Sequence, residues 1–374
     1  MPTYIRSLDG LRALAVALVM MFHFQLLPIG WIGVQIFFVL SGYLITRILL
    51  HEKQHSLSFY LKRFYWRRTI RIFPIYFTYL ILIAAAFMVM GMPADVKEKL
   101  PYLFTYTYNY TRISADWSHS PLFTHLWSLS VEEQFYMIWP LAIFIFSKKQ
   151  LRYIIPAVIV AGPLVRYFIG EWLINLNNDT EAVGEAIYWF TFSHFDAFAI
   201  GGAITLFKLN EHIPKTSWLF ITSLAIVVTV GLSNWYSITE QGHAYELSSL
   251  GYAVGSLANY QYVWSYSLLN LCFGLLILAL IKLGNSSSFH PLAIFNTKFM
   301  VSAGRVSYGM YLYHWAIMAV FFKVAKPFVG KGWLSFALYF MVVYAVAWLS
   351  FKFYESWFLA FKDKYFTHKK VKAG

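Results

Sequence analysis

Long apolar runs constrain this chain more than any other feature. Ten lie near residues 11–28, 32–50, 73–91, 126–146, 153–170, 192–208, 217–236, 264–282, 305–325 and 333–358. Each approaches the roughly 20 residues that a helix needs to cross a bilayer. A backbone surrounded by lipid must satisfy its own hydrogen bonds, and a run of this length does so as a helix. The expected fold class is all-α: a polytopic integral membrane protein of about ten transmembrane helices. Composition points the same way. Of 374 residues, 59% are hydrophobic and 13% charged, against roughly 25% charged in soluble domains. A soluble enzyme with an oily core fits neither observation.

The formal charge of +13 raises the question of a nucleic-acid partner. Topology answers it. With the N-terminus inside, 23 of the 30 Lys and Arg residues fall on the cytoplasmic side. Seven fall outside: Lys97, Lys99, Arg112, Arg166, Lys323, Lys326 and Lys331. Such a bias sets orientation and accounts for the basic balance without nucleic acid. Both termini are then cytoplasmic. Residues 1–358 form one transmembrane domain, and 359–374 a short basic cytoplasmic tail. The first run leads directly into the second with no small-residue cleavage site, so no cleavable signal is expected. The single cysteine, Cys272, supplies no CxxC motif or intramolecular disulfide.

Ionisable residues inside apolar runs are the candidates for chemistry, because lipid penalises them unless they face a cavity or a partner. Arg12 and His23 are eleven residues apart. On a helix that brings them to within about 20° of one face, about 16 Å apart along the axis. The plainer alternative for His23 is packing between helices with one hydrogen bond. The connection after the second run, Lys62 to Pro74, carries Arg68 and Arg71, which share a face if the segment is helical. Positive-inside topology or anionic lipid also explains such a cluster. Arginine pairs suit bidentate phosphate recognition as well. Glu132 and Glu133 open the fourth run, where carboxylates could orient a base or bind a hydroxylated acceptor. Ser130 and Glu133 also read as a helix capping box. Asp196 sits in the sixth run beside Gly201 and Gly202, small residues suited to close helix contacts. Tyr102, Tyr106, Tyr108, Tyr110 and Trp117 crowd the first long outer connection, as an interfacial belt or a sugar-stacking surface. Walker A, GxGxxG, HExxH and G-x-S-x-G motifs are absent from the sequence, and no metal site is signalled.

Taken together, these motifs resemble the membrane-bound acyltransferase-3 family, which includes bacterial O-acetyltransferases of O-antigen lipopolysaccharide, exopolysaccharide and peptidoglycan. The carrying residues are Asp9-Gly10-Leu11-Arg12 with His23; Phe37-Phe38-Val39-Leu40-Ser41-Gly42-Tyr43-Leu44; Arg68-x-x-Arg71; Trp127 through Tyr136; and Ser307-Tyr308-x-x-Tyr311-x-x-His314. They span most of the chain in the family's order. The resemblance implies a multi-pass enzyme of a bacterial inner or plasma membrane. It implies transfer of an acyl group, most often acetyl, from cytoplasmic acyl-CoA to a hydroxyl of a cell-surface glycan or its lipid-linked precursor. It ties Arg12, His23, Arg68 and Arg71 to activity, and the chain resembles members without an SGNH-type outer domain.

On that footing Arg68 and Arg71 are expected to hold the CoA phosphates, with Arg12 as a further contact or a gate. His23 is expected to act as general base or acyl carrier, with Glu133 or Asp9 orienting its ring. CoA is then a donor substrate and no bound cofactor is expected. The competing class is a transporter or flippase for a lipid-linked sugar or small solute, using the same ionisable residues as a proton relay. It would favour inverted repeats, which the sequence does not display.

Overall fold

Helix α1 (Arg6–His23) starts five residues before the first predicted run because its opening turns are buried in protein. The computed structural model describes residues 4–91, 94–113, 122–176, 179–242, 246–283, 290–324, 330 and 332–361. At Gly10 a Cβ would stand 2.0 Å from the carbonyl oxygen of Phe295, so helix and loop touch backbone to backbone. The helix stops at His23. Gln25 takes a left-handed conformation, φ 63°, through which a right-handed helix does not continue. His23 is therefore a terminal residue, not the interior of a run reaching 28.

A turn at Pro28–Trp31 leads into α2 (Ile32–Glu52). Helix α3 (Leu57–Met90) has 34 residues, about 51 Å of helix. It absorbs the basic connection that the sequence left between two runs. There follow α4 (Ala94–Phe104), α5 (Trp127–Ile145), α6 (Lys148–Leu176), α7 (Thr180–Trp189), α8 (Phe195–Leu206) and α9 (Leu209–His212). The rest are α10 (Thr216–Glu240), α11 (Gln261–Leu283), α12 (Lys298–Arg305), α13 (Ser307–Val324), α14 (Trp333–Ser350) and α15 (Ser356–Phe361), with a π-helical turn, Phe351–Glu355, before the last. No strand occurs among the described residues.

Six helices among the described residues are long and apolar enough to cross a membrane: α2 with its leading turn, α3, α6, α10, α11, and α14 continued into α15. The other four predicted runs coincide with α1, α5, α8 and α13, which are not among those six. These four carry Asp9, Arg12, Glu132, Glu133, Asp196, Tyr308, Tyr311 and His314. The proposed tail lies outside the described residues from 362 onward.

Two features fix the centre of the bundle. Helices α2 and α8 cross at glycine. A Cβ on Gly42 would stand 2.0 Å from the Phe198 carbonyl oxygen, and one on Gly201 would stand 2.0 Å from that of Val39. Gly201 thus serves the close helix contact its size suggests. Beside this crossing lies a buried ion pair, Arg166 Nη2 to Asp196 Oδ2 at 3.1 Å, with both side chains inaccessible to solvent. Arg166 also donates to the carbonyls of Ser193 (2.6 Å) and Val263 (3.0 Å) and to Ser267 Oγ (2.5 Å). Asp196 accepts from Ser267 Oγ at 2.5 Å and from the Ala197 amide at 2.8 Å. So Arg166, counted with the outer face on sequence, belongs to the interior.

Replacing Arg166 with Leu strands Asp196 as an unpaired buried charge, a loss of about 3–5 kcal/mol. We expect a lower unfolding temperature and a smaller monodisperse fraction in detergent. An unchanged melting curve would contradict the pairing.

Candidate functional site

A cavity of about 330 Å³ opens between α1, α2, α3, α5 and α13. Its wall on α2 is a helical stripe, Val34, Phe37, Phe38, Ser41, Leu44, Ile48 and Glu52. Eighteen residues separate its ends, so the wall is about 27 Å long. On α3 the lining residues Arg63, Arg67 and Arg71 recur every fourth residue, with Arg68 alongside. Arg12 of α1 adds a fifth guanidinium. The basic segment is helical, so Arg68 and Arg71 do share a face, and both line the cavity with Arg12. The sequence reading missed Arg63 and Arg67, although the four-residue spacing was available once a helix was assumed.

The arginines are held in different ways. Arg12 Nη1 bonds Asp9 Oδ1 at 2.6 Å, and the other Asp9 oxygen accepts from the Tyr4 hydroxyl at 2.5 Å. Arg63 Nη1 bonds Glu52 Oε2 at 2.6 Å at one end of the α2 stripe. Arg68 lies over the ring of Tyr136, 4.2 Å from its centroid, a cation–π contact.

Of the two neighbouring glutamates, Glu132 lines the cavity. It accepts hydrogen bonds from the hydroxyls of both Ser41 and Tyr136. Glu133 stands on another side of α5, within electrostatic reach of Arg68, Tyr76, Tyr106 and Tyr308. The capping-box alternative does not hold. Helix α5 begins at Trp127, and Ser130 lies inside it, its hydroxyl donating to the Leu126 carbonyl at 3.3 Å. Tyr106 and Tyr108 of the first long connection are buried, Tyr106 stacking on Tyr76 with centroids 4.4 Å apart. Neither forms an exposed belt or platform. Trp117 lies outside the described residues.

His23 is not among the residues lining the cavity. It belongs to a group of three histidines from three helical segments. His23 Nδ1 is 2.8 Å from His314 Nε2, the two rings nearly coplanar (15°) and meeting edge to edge with centroids 5.0 Å apart. His125 packs edge-on against His314, centroids 4.7 Å apart. Tyr311 and Ser128 join this group to the cavity. Both line it, their hydroxyls are 2.5 Å apart, and Tyr311 also donates to the His125 carbonyl at 2.9 Å. The sequence reading had singled out His314 but not its pairing with His23, since residues 291 positions apart meet only through the fold. Among the described residues no cluster of His, Cys, Asp or Glu has the arrangement of a metal site.

A multi-pass helical protein with an arginine-lined cleft and a buried histidine group is the class that fold and site define. The chain belongs to the acyltransferase-3 family: the family's acyltransferase domain matches residues 5–352. It is 30% identical to peptidoglycan O-acetyltransferase OatA of Listeria monocytogenes over 99% of this chain and 60% of that protein. It is 28% identical to O-acetyltransferase OatA of Staphylococcus aureus over 85% of this chain and 51% of that protein. The chain thus spans little more than half the length of these relatives. No solved structure matches it.

Glu132→Ala removes the acceptor of two hydroxyls, one of them on Tyr136, which is 2% exposed. Buried donors left without a partner cost about 1–3 kcal/mol each. We expect a drop in thermal stability that Glu132→Gln largely restores. Equal melting temperatures for wild type and Glu132→Ala would refute the network.

Proposed function

We propose that this chain is a membrane-embedded O-acyltransferase that moves an acetyl group from cytoplasmic acetyl-CoA to a hydroxyl of a cell-surface glycan or its lipid-linked precursor. In this reading ten segments span a bacterial plasma membrane, α1, α5, α13 and α8 with the turn Thr191–His194 before it crossing with the six apolar helices, and both termini are cytoplasmic. The transmembrane domain, residues 1–358, is itself the enzyme, and 359–374 is a basic cytoplasmic tail.

The observation that carries the proposal is the shape and charge of the cavity. It runs along a mainly apolar α2 stripe, with five arginines along its α1 and α3 walls. CoA carries groups to match, phosphates for the arginines and a slender arm ending in a thioester for the apolar wall. Arg12, Arg68 and Arg71 would clamp the phosphates by charge-assisted hydrogen bonds. The arm would lie along α2 and bring the thioester to the Tyr311 and Ser128 end. A volume of about 330 Å³ lies in the range of ligand sites, roughly 300–1,000 Å³. Glu133 would act through Arg68, balancing its charge.

His23 is the general base. It removes the proton from the acceptor hydroxyl as the oxygen bonds the acyl carbon. The carbon–sulfur bond then breaks, and His23 returns the proton to the departing thiolate. General-base catalysis of this kind contributes typically ~10²–10⁴ in rate. A glycan acceptor is consistent with the relatives, one of which is named for peptidoglycan. Family membership favours this reading over the transporter, for which no observation speaks.

Two outcomes test it. His23→Ala should abolish release of free thiol from acetyl-CoA while the protein still inserts and purifies as wild type. Full activity in that variant would remove His23 from the mechanism. Arg68→Ala combined with Arg71→Ala should weaken acetyl-CoA binding at least about tenfold, as loss of charge-assisted bonds implies. Unchanged affinity in a detergent binding assay would return these arginines to topology or lipid contact.

A further inference from the structure

The hydrogen bonds around His23 specify which of its two nitrogens can act. His314 Nδ1 is 2.5 Å from the carbonyl oxygen of Tyr311. A carbonyl only accepts, so His314 Nδ1 carries the proton and donates. In an uncharged imidazole the other nitrogen is then an acceptor. His314 Nε2 faces His23 Nδ1 at 2.8 Å, so the His23 proton sits on Nδ1. Its Nε2 is left with a free lone pair.

We propose that His314 is a positioning residue that locks His23 in the tautomer with a bare Nε2, ready to take the acceptor's proton. This rests on the reading of His23 as the base. The arrangement parallels a catalytic triad, in which a third group orients the base through Nδ1 and frees Nε2. Here the orienting group is a neutral ring in place of a carboxylate. Asp9 bonds Arg12 and Tyr4, so it is committed elsewhere.

His314 is rigidly held for this task. Its side chain is fully buried, nearly coplanar with His23 at 15° and flanked edge-on by His125. Its backbone carbonyl accepts from the Tyr339 hydroxyl at 2.8 Å. Its Nδ1 acceptor lies one turn earlier on the same helix, so the bond is set by α13 alone. His125 donates in the same manner through Nε2 to the Leu312 carbonyl at 3.1 Å. It packs on the pair without breaking the order of donors. Through the whole transfer the His23 Nδ1 proton stays donated to His314, and only the Nε2 proton moves.

The test combines activity with a direct view of the rings. The proteins are full-length wild type, His314→Leu, His314→Gln and His23→Ala, with ¹⁵N-labelled histidine, in lipid bilayers. Solid-state NMR should show His23 protonated at Nδ1 and bare at Nε2 in wild type. The His23 signals are identified by their absence in His23→Ala. In His314→Leu that tautomer should be lost. Its kcat for thiol release should fall by on the order of 10²-fold, within the range of general-base catalysis, with KM for acetyl-CoA unchanged. His314→Gln, whose amide oxygen can accept from Nδ1, should recover most of the loss and keep the wild-type tautomer. A His314→Leu protein with the wild-type tautomer and kcat overturns the proposal. Equal losses in the Leu and Gln variants overturn it too, since packing alone would then explain them. Activity retained in His23→Ala instead overturns the general-base reading, and the spectra still decide the tautomer.

Discussion

The contact on which the rest depends is the crossing of α2 and α8 at glycine. Gly42 and Gly201 bring two backbones together where any Cβ would collide with a carbonyl oxygen. In a membrane, helices gain little from the hydrophobic effect on associating, and close packing through small residues takes its place. The residue before Gly42 on α2, Ser41, lines the cavity and bonds Glu132. One turn of helix thus locks the bundle on one side and presents polar groups on the other. The Arg166–Asp196 pair anchors α6 and α8 beside the same crossing.

Around that crossing the helices divide by task. The six that qualify as apolar spans include strongly exposed ones, such as α6 and α10. The four shorter or more polar helices provide Arg12, His23, Glu132, Asp196, Tyr311 and His314. Polar side chains make a poor lipid-facing surface, so these helices need surrounding protein. The same polarity that keeps them from reading as clean spans lets them line a cavity and seat a histidine pair. Placing chemistry on helices rather than loops also holds it rigidly.

Much of this was legible in the sequence because it is local. Apolar runs mark helices, and the three-residue step from Arg68 to Arg71 places both on one face of α3. The eleven-residue step from Arg12 to His23 survives because α1 is continuous between them. Boundaries were less legible. Helix α1 starts early because Gly10 meets Phe295, nearly three hundred residues away, and it ends where Gln25 adopts a left-handed turn. Nothing in a stretch of eight residues announces either. The choice between Glu132 and Glu133 depends on the rotation of α5 about its axis, set by packing and not by charge. The pairing of His23 with His314 required the bundle itself.

The continuous α2 wall has one more consequence. An unbroken helix is a ruler. If the phosphates of a thioester donor are anchored among these arginines, the depth reached by its carbonyl is fixed by the length of its arm. An acetyl group would end near Phe37 and Tyr311, whose rings meet edge to face with centroids 6.2 Å apart. Longer acyl chains would have to pass between those rings. Selection of the group to be transferred would thus be a matter of length along a rigid edge, independent of any pocket shaped to the acyl group itself.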